Sequence, residues 1–135
     1  MKYYFASRYS DHPRMRDYRA QLLAAQPGSE VTSRWIDIGR GELVHSYTQQ
    51  TLREDTAQIW ALAGQSDVDD LYAADVVVSF GHQDGGGKGG RHVEFGMAMA
   101  WGKRLVLIGT REHLFHTAPQ VEHYDTFDDF MRGLP

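Results

Sequence analysis

Apolar positions fall into two alternating patterns along the chain: short continuous runs, and stretches with helical spacing. Residues 2–6 (KYYFA) form an aromatic and apolar run that predicts a first strand. Residues 7–11 follow as a loop. Pro13 stands where a first helical turn begins, with Asp11 or His12 as cap. Met15, Tyr18, Leu22 and Leu23 then recur at helical spacing up to Gln26, and Pro27-Gly28 stops the helix. Residues 31–38 (VTSRWIDI) alternate and predict a second strand, and residues 39–51 form a polar connection. Leu52, Ile59, Trp60 and Leu62 predict a second helix that kinks or breaks at Gly64-Gln65-Ser66, with helical spacing resuming from Asp67 to Ala74.

Residues 76–80 (VVVSF) are apolar and β-branched, the mark of a buried third strand. Residues 91–101 predict a helix with Val93, Met97 and Ala100 on one face. Residues 103–108 (KRLVLI) predict a fourth strand. Residues 109–119 are loop with a short turn near Glu112, and residues 121–124 make a short fifth strand. Thr126 caps a last helix over residues 127–132. Trp35, Trp60 and Trp101 are read as core or pocket walls.

Strands alternating with helices imply an α/β fold whose parallel strands are joined by right-handed crossovers. The expectation is one domain over residues 1–135, a doubly wound, flavodoxin-like sandwich around a mostly parallel five-stranded sheet. Ligands of such sheets bind outside the carboxyl ends of the strands. That rule gathers three loops at one mouth: residues 7–11, 81–90 and 109–116.

Composition narrows the function. A net charge of −4 argues against a nucleic-acid polymer as partner, which would need a basic face. No apolar run approaches the roughly 20 residues of a membrane span, and no apolar leader is visible, so the expectation is a cytoplasmic protein without a membrane partner. With no cysteine, thiol catalysis and Cys-based zinc sites are excluded.

Chemistry concentrates around the third strand. Residues 81–90 (GHQDGGGKGG) hold six glycines with His82, Asp84 and Lys88, and Arg91 follows. Glycines such as Gly81 and Gly90 let backbone approach a ligand closely, and Lys88 and Arg91 suit a phosphate. The loop matches neither the nucleoside-triphosphate nor the dinucleotide glycine pattern. Glu94 lies in the first turn of the next helix, where the dipole keeps a carboxylate ionised for work as nucleophile or base; an ordinary capping glutamate has the same pattern. Asp67, Asp69 and Asp70 read on composition as a solvated acidic helix face. Ser7, Arg8, Tyr9, Ser10, Arg14 and Arg16 offer hydroxyls and cations for a phosphate or sugar, or ordinary caps and surface charge. His113 and His116 are three apart, and His82, Asp84 and His92 are near one another, but no metal-binding spacing is present; no metal and no cofactor are expected.

Three separated pieces resemble the nucleoside 2-deoxyribosyltransferases and their relatives, the 2′-deoxynucleoside 5′-monophosphate N-glycosidases. Tyr4-Phe5-Ala6-Ser7 resembles the family's first strand and small-residue turn. Residues 67–78 (DVDDLYAADVVV) resemble its D-x3-[LI]-x2-[AS]-D motif. Residues 93–98 (VEFGMA) resemble its apolar-Glu-Leu-Gly-x-Ala element, followed by a Gly-Lys turn at Gly102-Lys103. The pieces span most of the chain. The resemblance implies that Glu94 attacks C1′ of the sugar to give a covalent glycosyl-enzyme, which a second base or water resolves. It maps the sugar-binding, orienting aspartate to Asp67. The tyrosine that positions the glutamate maps to Tyr4, or to Tyr3 if the register slips by one.

Six residues before the glutamate, transferases acting on free nucleosides carry Asp and the monophosphate hydrolases Ser; here the residue is Lys88. Asp84 is the alternative source of the transferase aspartate. Lys88, Arg91, Ser7 and Arg8 favour a phosphorylated substrate. Asp84, His82 and His92 are the candidates for protonating the leaving base. The expectation is an enzyme, a nucleoside deoxyribosyltransferase-like transferase or N-glycosidase, acting on a small nucleoside or nucleotide. As family members commonly assemble, a homodimer or larger homo-oligomer is implied. The rival readings are a hydrolase of another ribosyl compound, such as an NAD-type dinucleotide, and a non-catalytic nucleotide sensor.

Overall fold

The computed structural model describes residues 1–38, 54–87 and 89–135, with the side chains of all of these except 54–59. The polar connection expected at 39–51, the helix start expected at Leu52 and the side chain of Ile59 therefore lie outside the described residues, as does Lys88. Five strands form one sheet: β1 Lys2–Ala6, β2 Glu30–Val31, β3 Val76–Gly81, β4 Arg104–Gly109 and β5 Val121–Tyr124. Their order is β2-β1-β3-β4-β5, and every pairing is parallel. This is the doubly wound, flavodoxin-like order, with its reversal between β1 and β3.

Helices α1 His12–Ala25 and α4 Phe127–Arg132 pack on one face of the sheet. Helices α2 Glu54–Ala73 and α3 Gly90–Ala100 pack on the other. Side chains of a strand alternate between faces, which sorts β1 cleanly. Phe5 faces α1 and α4, where Phe80, Phe127 and Tyr18 form an aromatic cluster; Tyr18 stacks on Phe127 at 4.0 Å between ring centroids. Tyr4 faces α2 and α3. Thr126 caps α4 as expected, accepting the Asp129 amide at 3.1 Å. No described helix is long and apolar enough to cross a membrane.

Four expectations need correction. The second strand stops at Val31, and residues 34–36 form a 3-10 turn instead. Side chains replace the missing strand contacts. The Phe5 amide donates to Ser33 Oγ at 2.7 Å, and Trp35 Nε1 donates to the Phe5 carbonyl at 2.9 Å. The alternating pattern is real, but polar side chains beyond Val31 satisfy the edge of β1 without a ladder. Second, α2 runs unbroken through Gly64; a single glycine costs a helix only about 1 kcal/mol, which packing offsets. Third, α3 buries Arg91, Phe95 and Ala98, while Val93 is 63% exposed. Arg91 enters the interior because a carboxylate meets it there, an event invisible to apolar periodicity. Trp101 likewise lies 41% exposed at the end of α3, not in the core, whereas Trp35 is buried.

Candidate active site

The carboxyl ends of β1 and β3 meet at the point where strand order reverses. Ser7 and Arg8 leave β1; His82 and Asp84 leave β3. These two loops are tied across the mouth through Asp11, which is buried. Ser7 Oγ donates to Asp11 Oδ2 at 2.8 Å, and His82 Nε2 lies 3.1 Å from the same oxygen. Arg8 Nε also approaches it at 3.4 Å. One guanidinium nitrogen of Arg8 donates to both oxygens of Asp84, at 3.0 and 3.2 Å. Asp11, which with His12 was one of two expected caps of α1, stands at the N-cap position but makes no side-chain capping bond and instead collects these donors. Burial pushes the His82 pKa below its ordinary value, against the opposing pull of Asp11.

The glycine loop is bound down from the other side by Arg91. This buried guanidinium donates to the Gly86 carbonyl at 2.7 Å and pairs with Glu112. The other Glu112 oxygen accepts the His82 amide at 3.1 Å. Glu112 thus fixes both ends of the loop, and Arg91 holds its pKa below the usual carboxylate value in spite of burial. Gly87 and Gly89 sit at φ +98° and +94°, conformations open to glycine. A Cβ on Gly86 would come within 2.5 Å of the Arg8 guanidinium. At Gly81 a Cβ would meet the Thr110 carbonyl oxygen at 1.8 Å, so this glycine is needed to close β3 against the β4 loop. Gly90 opens α3 with no atom within 4 Å of its Cβ position.

Below this mouth three residues converge between β1, α2 and α3. Tyr4 is fully buried on β1. Its phenol pKa is raised well above 10, first by burial and then by the negative charges of Glu94 and Asp67, with a hydrogen bond to Glu94 as a smaller cause. The hydroxyl has no partner at full hydrogen-bond geometry, and Glu94 acts on it chiefly through charge. Glu94 lies in the second turn of α3, half-buried, with Oε2 enclosed from solvent. Asp67 comes from α2, also half-buried. Tyr3 points to the opposite face, where its hydroxyl donates to Gln26 at 2.6 Å. A one-residue difference in register moves a side chain across the sheet, and it is Tyr4 that lies on the Glu94 side. Asp70 is not part of a solvated acidic face. It is buried and accepts the backbone amide of Arg34 at 3.0 Å and its Nε at 2.8 Å, which anchors the 3-10 turn to α2.

The arrangement therefore holds two half-buried carboxylates on neighbouring helices beside a buried phenol. Such a pair can stabilise positive charge developing on a sugar ring, and one of them can trap it. Of the residues read from sequence as ligand contacts, Ser7, Arg8 and Asp84 share the mouth, whereas Arg91 is turned inward and committed to Glu112. The roles of Glu112 and Asp11 have no motif in the sequence. Glu112 is 30 residues from the amide it holds and Asp11 acts only through the folded mouth. Among the described residues, His92, His113 and His116 also gather; His92, two residues before Glu94, leaves α3 on the opposite side of the helix.

No family model matches the chain, and no curated protein matches it. Among solved structures, the Clostridium botulinum CMP N-glycosidase BcmB is similar to it with a TM-score of 0.54 and 17% sequence identity. The similarity covers 98% of this chain and 96% of that one. At that identity the likeness establishes a shared fold: a five-stranded parallel α/β sandwich spanning nearly the whole of both chains.

Proposed function

We propose that this chain is an enzyme that breaks the N-glycosidic bond of a (2′-deoxy)nucleoside or its 5′-monophosphate through a covalent glycosyl–Glu94 intermediate. The observation that carries the reading is the pair of half-buried carboxylates, Glu94 and Asp67, that both act on the buried Tyr4 phenol on β1. A Glu94 oxygen forms a bond to C1′ as the C1′–N bond breaks; the electron pair leaves with the base, which takes a proton. Water or an acceptor base then attacks C1′ and releases the carboxylate. Asp67 accepts a sugar hydroxyl and orients the ring. Tyr4 restrains the Glu94 carboxylate and, held as a neutral phenol, adds no charge beside it. The structural similarity to BcmB, a CMP N-glycosidase, supports cleavage of an N-glycosidic bond at the general level.

For the 5′ group, Arg8 is, among the described residues, the cation at the mouth with an exchangeable partner. The Asp84 side chain that occupies it is 72% exposed, so a phosphate can take its place without unburying anything. Arg91, already paired inside, contributes by shaping the loop. We further propose, from the family resemblance, that the chain works as a homodimer or larger assembly; light scattering that gives the mass of one chain at working concentration would contradict this.

The test is incubation with nucleosides and their 5′-monophosphates, with and without acceptor base, followed by chromatography. Free base without acceptor indicates hydrolysis, and a new nucleoside only with acceptor indicates transfer. Glu94→Gln should reduce turnover by at least about 10³-fold while leaving ligand binding in place. Ligand binding without release from any substrate would favour the sensor reading and sink this one.

A further inference from the structure

A second cluster of chemistry lies on the far side of α3 from Glu94. The segment after β4 turns through a 3-10 helix at Leu114–Thr117, with His113 at its N-cap. Three residues per turn place His113 and His116 on one face, and their rings lie 3.7 Å apart between centroids. His92, on the first turn of α3, closes the group. One ring nitrogen from each of the three lies within 4.8 Å of those of the others. Phe95 packs edge-on against His113 and His116 and floors the cluster.

The polar atoms here are incompletely satisfied by protein. His116 is 2% exposed, and its Nδ1 accepts the Glu112 amide at 3.0 Å. That bond places the proton of the neutral ring on Nε2, which is buried without an acceptor. His113 Nδ1 is likewise buried without a partner. His92 Nδ1 and His113 Nε2 are 3.1 Å apart. Two nitrogens each bound at about 2.0–2.1 Å to one tetrahedral cation would stand roughly 3.3 Å apart. On its other side His92 Nε2 faces Glu112 Oε1 at 3.7 Å, the carboxylate-behind-imidazole arrangement that orients metal-bound histidines.

We propose that His92, His113 and His116 form a site for a first-row divalent cation of the zinc type, with Glu112 as the carboxylate behind it. Neutral imidazoles suit such ions better than calcium or magnesium, which take oxygen ligands. As the cation enters, the proton between His92 Nδ1 and His113 Nε2 moves to the outer nitrogen of the ring that carries it, so that both rings bind as neutral imidazoles. His116 exchanges its Nε2 proton for one on Nδ1, which gives up the Glu112 amide, so the ring stays neutral and its Nε2 lone pair reaches the cation. Three protein ligands leave a fourth position for water. The cation would pin the β4–β5 connection to the first turn of α3, and the cluster faces away from Glu94, so the site stands whether or not the glycosidase reading holds.

The experiment is titration of chelator-treated protein with zinc chloride by calorimetry, with cobalt chloride absorption as a second readout. One equivalent should bind, with the intense visible bands of tetrahedral cobalt, and zinc should raise the thermal midpoint. His92→Gln and His113→Gln should each weaken binding at least tenfold, while His123→Gln, whose ring contacts the Gly109 carbonyl, should not. His92 is half-buried, so its variant is the safeguard should the replacement of a more buried histidine fail to fold. Absence of stoichiometric binding, or binding undiminished in folded His92→Gln, overturns the proposal and leaves the 3.1 Å contact as a plain hydrogen bond between imidazoles.

Discussion

At the scale of single residues, Tyr4 separates a catalytic reading from a structural one. Its hydroxyl is buried without a partner at full geometry, so removing it relieves a poorly satisfied polar group. Tyr4→Phe should therefore leave thermal stability unchanged or slightly raised. If the phenol restrains Glu94, the same change should lower kcat by about 10²-fold, the scale expected when a reacting group loses its position. Equal effects on stability and turnover would show Tyr4 to be a packing residue alone. Which tyrosine of the pair to choose could not be read from the residues themselves, since Tyr3 and Tyr4 are chemically identical. The register of β1 decides it by turning one to Gln26 and the other to Glu94. Glu94 was legible as a carboxylate early in a helix, but spacing alone did not join it to Asp67, which α2 supplies from far along the chain; only the family resemblance named the two together.

At the scale of elements, the runs that are buried on both faces were the easiest to read. β3 and β4 show as continuous apolar stretches because parallel central strands have no wet side. β2 was not legible beyond Val31, since Ser33 and Trp35 imitate a strand through their side chains. The buried face of α3 was hidden because Arg91 lies inside it, matched to a glutamate that is distant in sequence. The junction of β3 and β4 carries a sharp expectation. Gly81→Ala should destabilise the fold by about 3 kcal/mol, because the Thr110 carbonyl occupies the space a methyl would need. Gly90→Ala, where the Cβ position is open, should be near neutral or stabilising. Urea unfolding of both variants is the check, and similar losses in the two would mean that the loop, not the strand junction, needs its glycines.

For the whole molecule, the mouth is an ionic assembly on an aromatic and aliphatic core. Arg8 and Arg91 face Asp11, Asp84 and Glu112, and His82 is wedged among them. The folded pKa of His82 lies below its ordinary 6.5, so the unfolded chain takes up this proton first as pH falls. The stability that depends on a neutral His82 is therefore complete above about pH 6.5 and declines as pH drops toward the folded value. Denaturation at pH 7 and pH 5 should show a smaller acid loss in His82→Gln than in the wild-type chain; an identical loss would place the acid sensitivity elsewhere. The central claim concerns Glu94, and its most direct test is mass spectrometry of protein quenched in acid during turnover. Trypsin releases residues 92–103, HVEFGMAMAWGK, in which Glu94 is the only carboxylate side chain. The expected result is this peptide carrying one pentosyl or pentosyl phosphate group, absent from Glu94→Gln. Steady release of base with the peptide never modified, or with the sugar found on another peptide, would contradict the assignment of Glu94 as nucleophile.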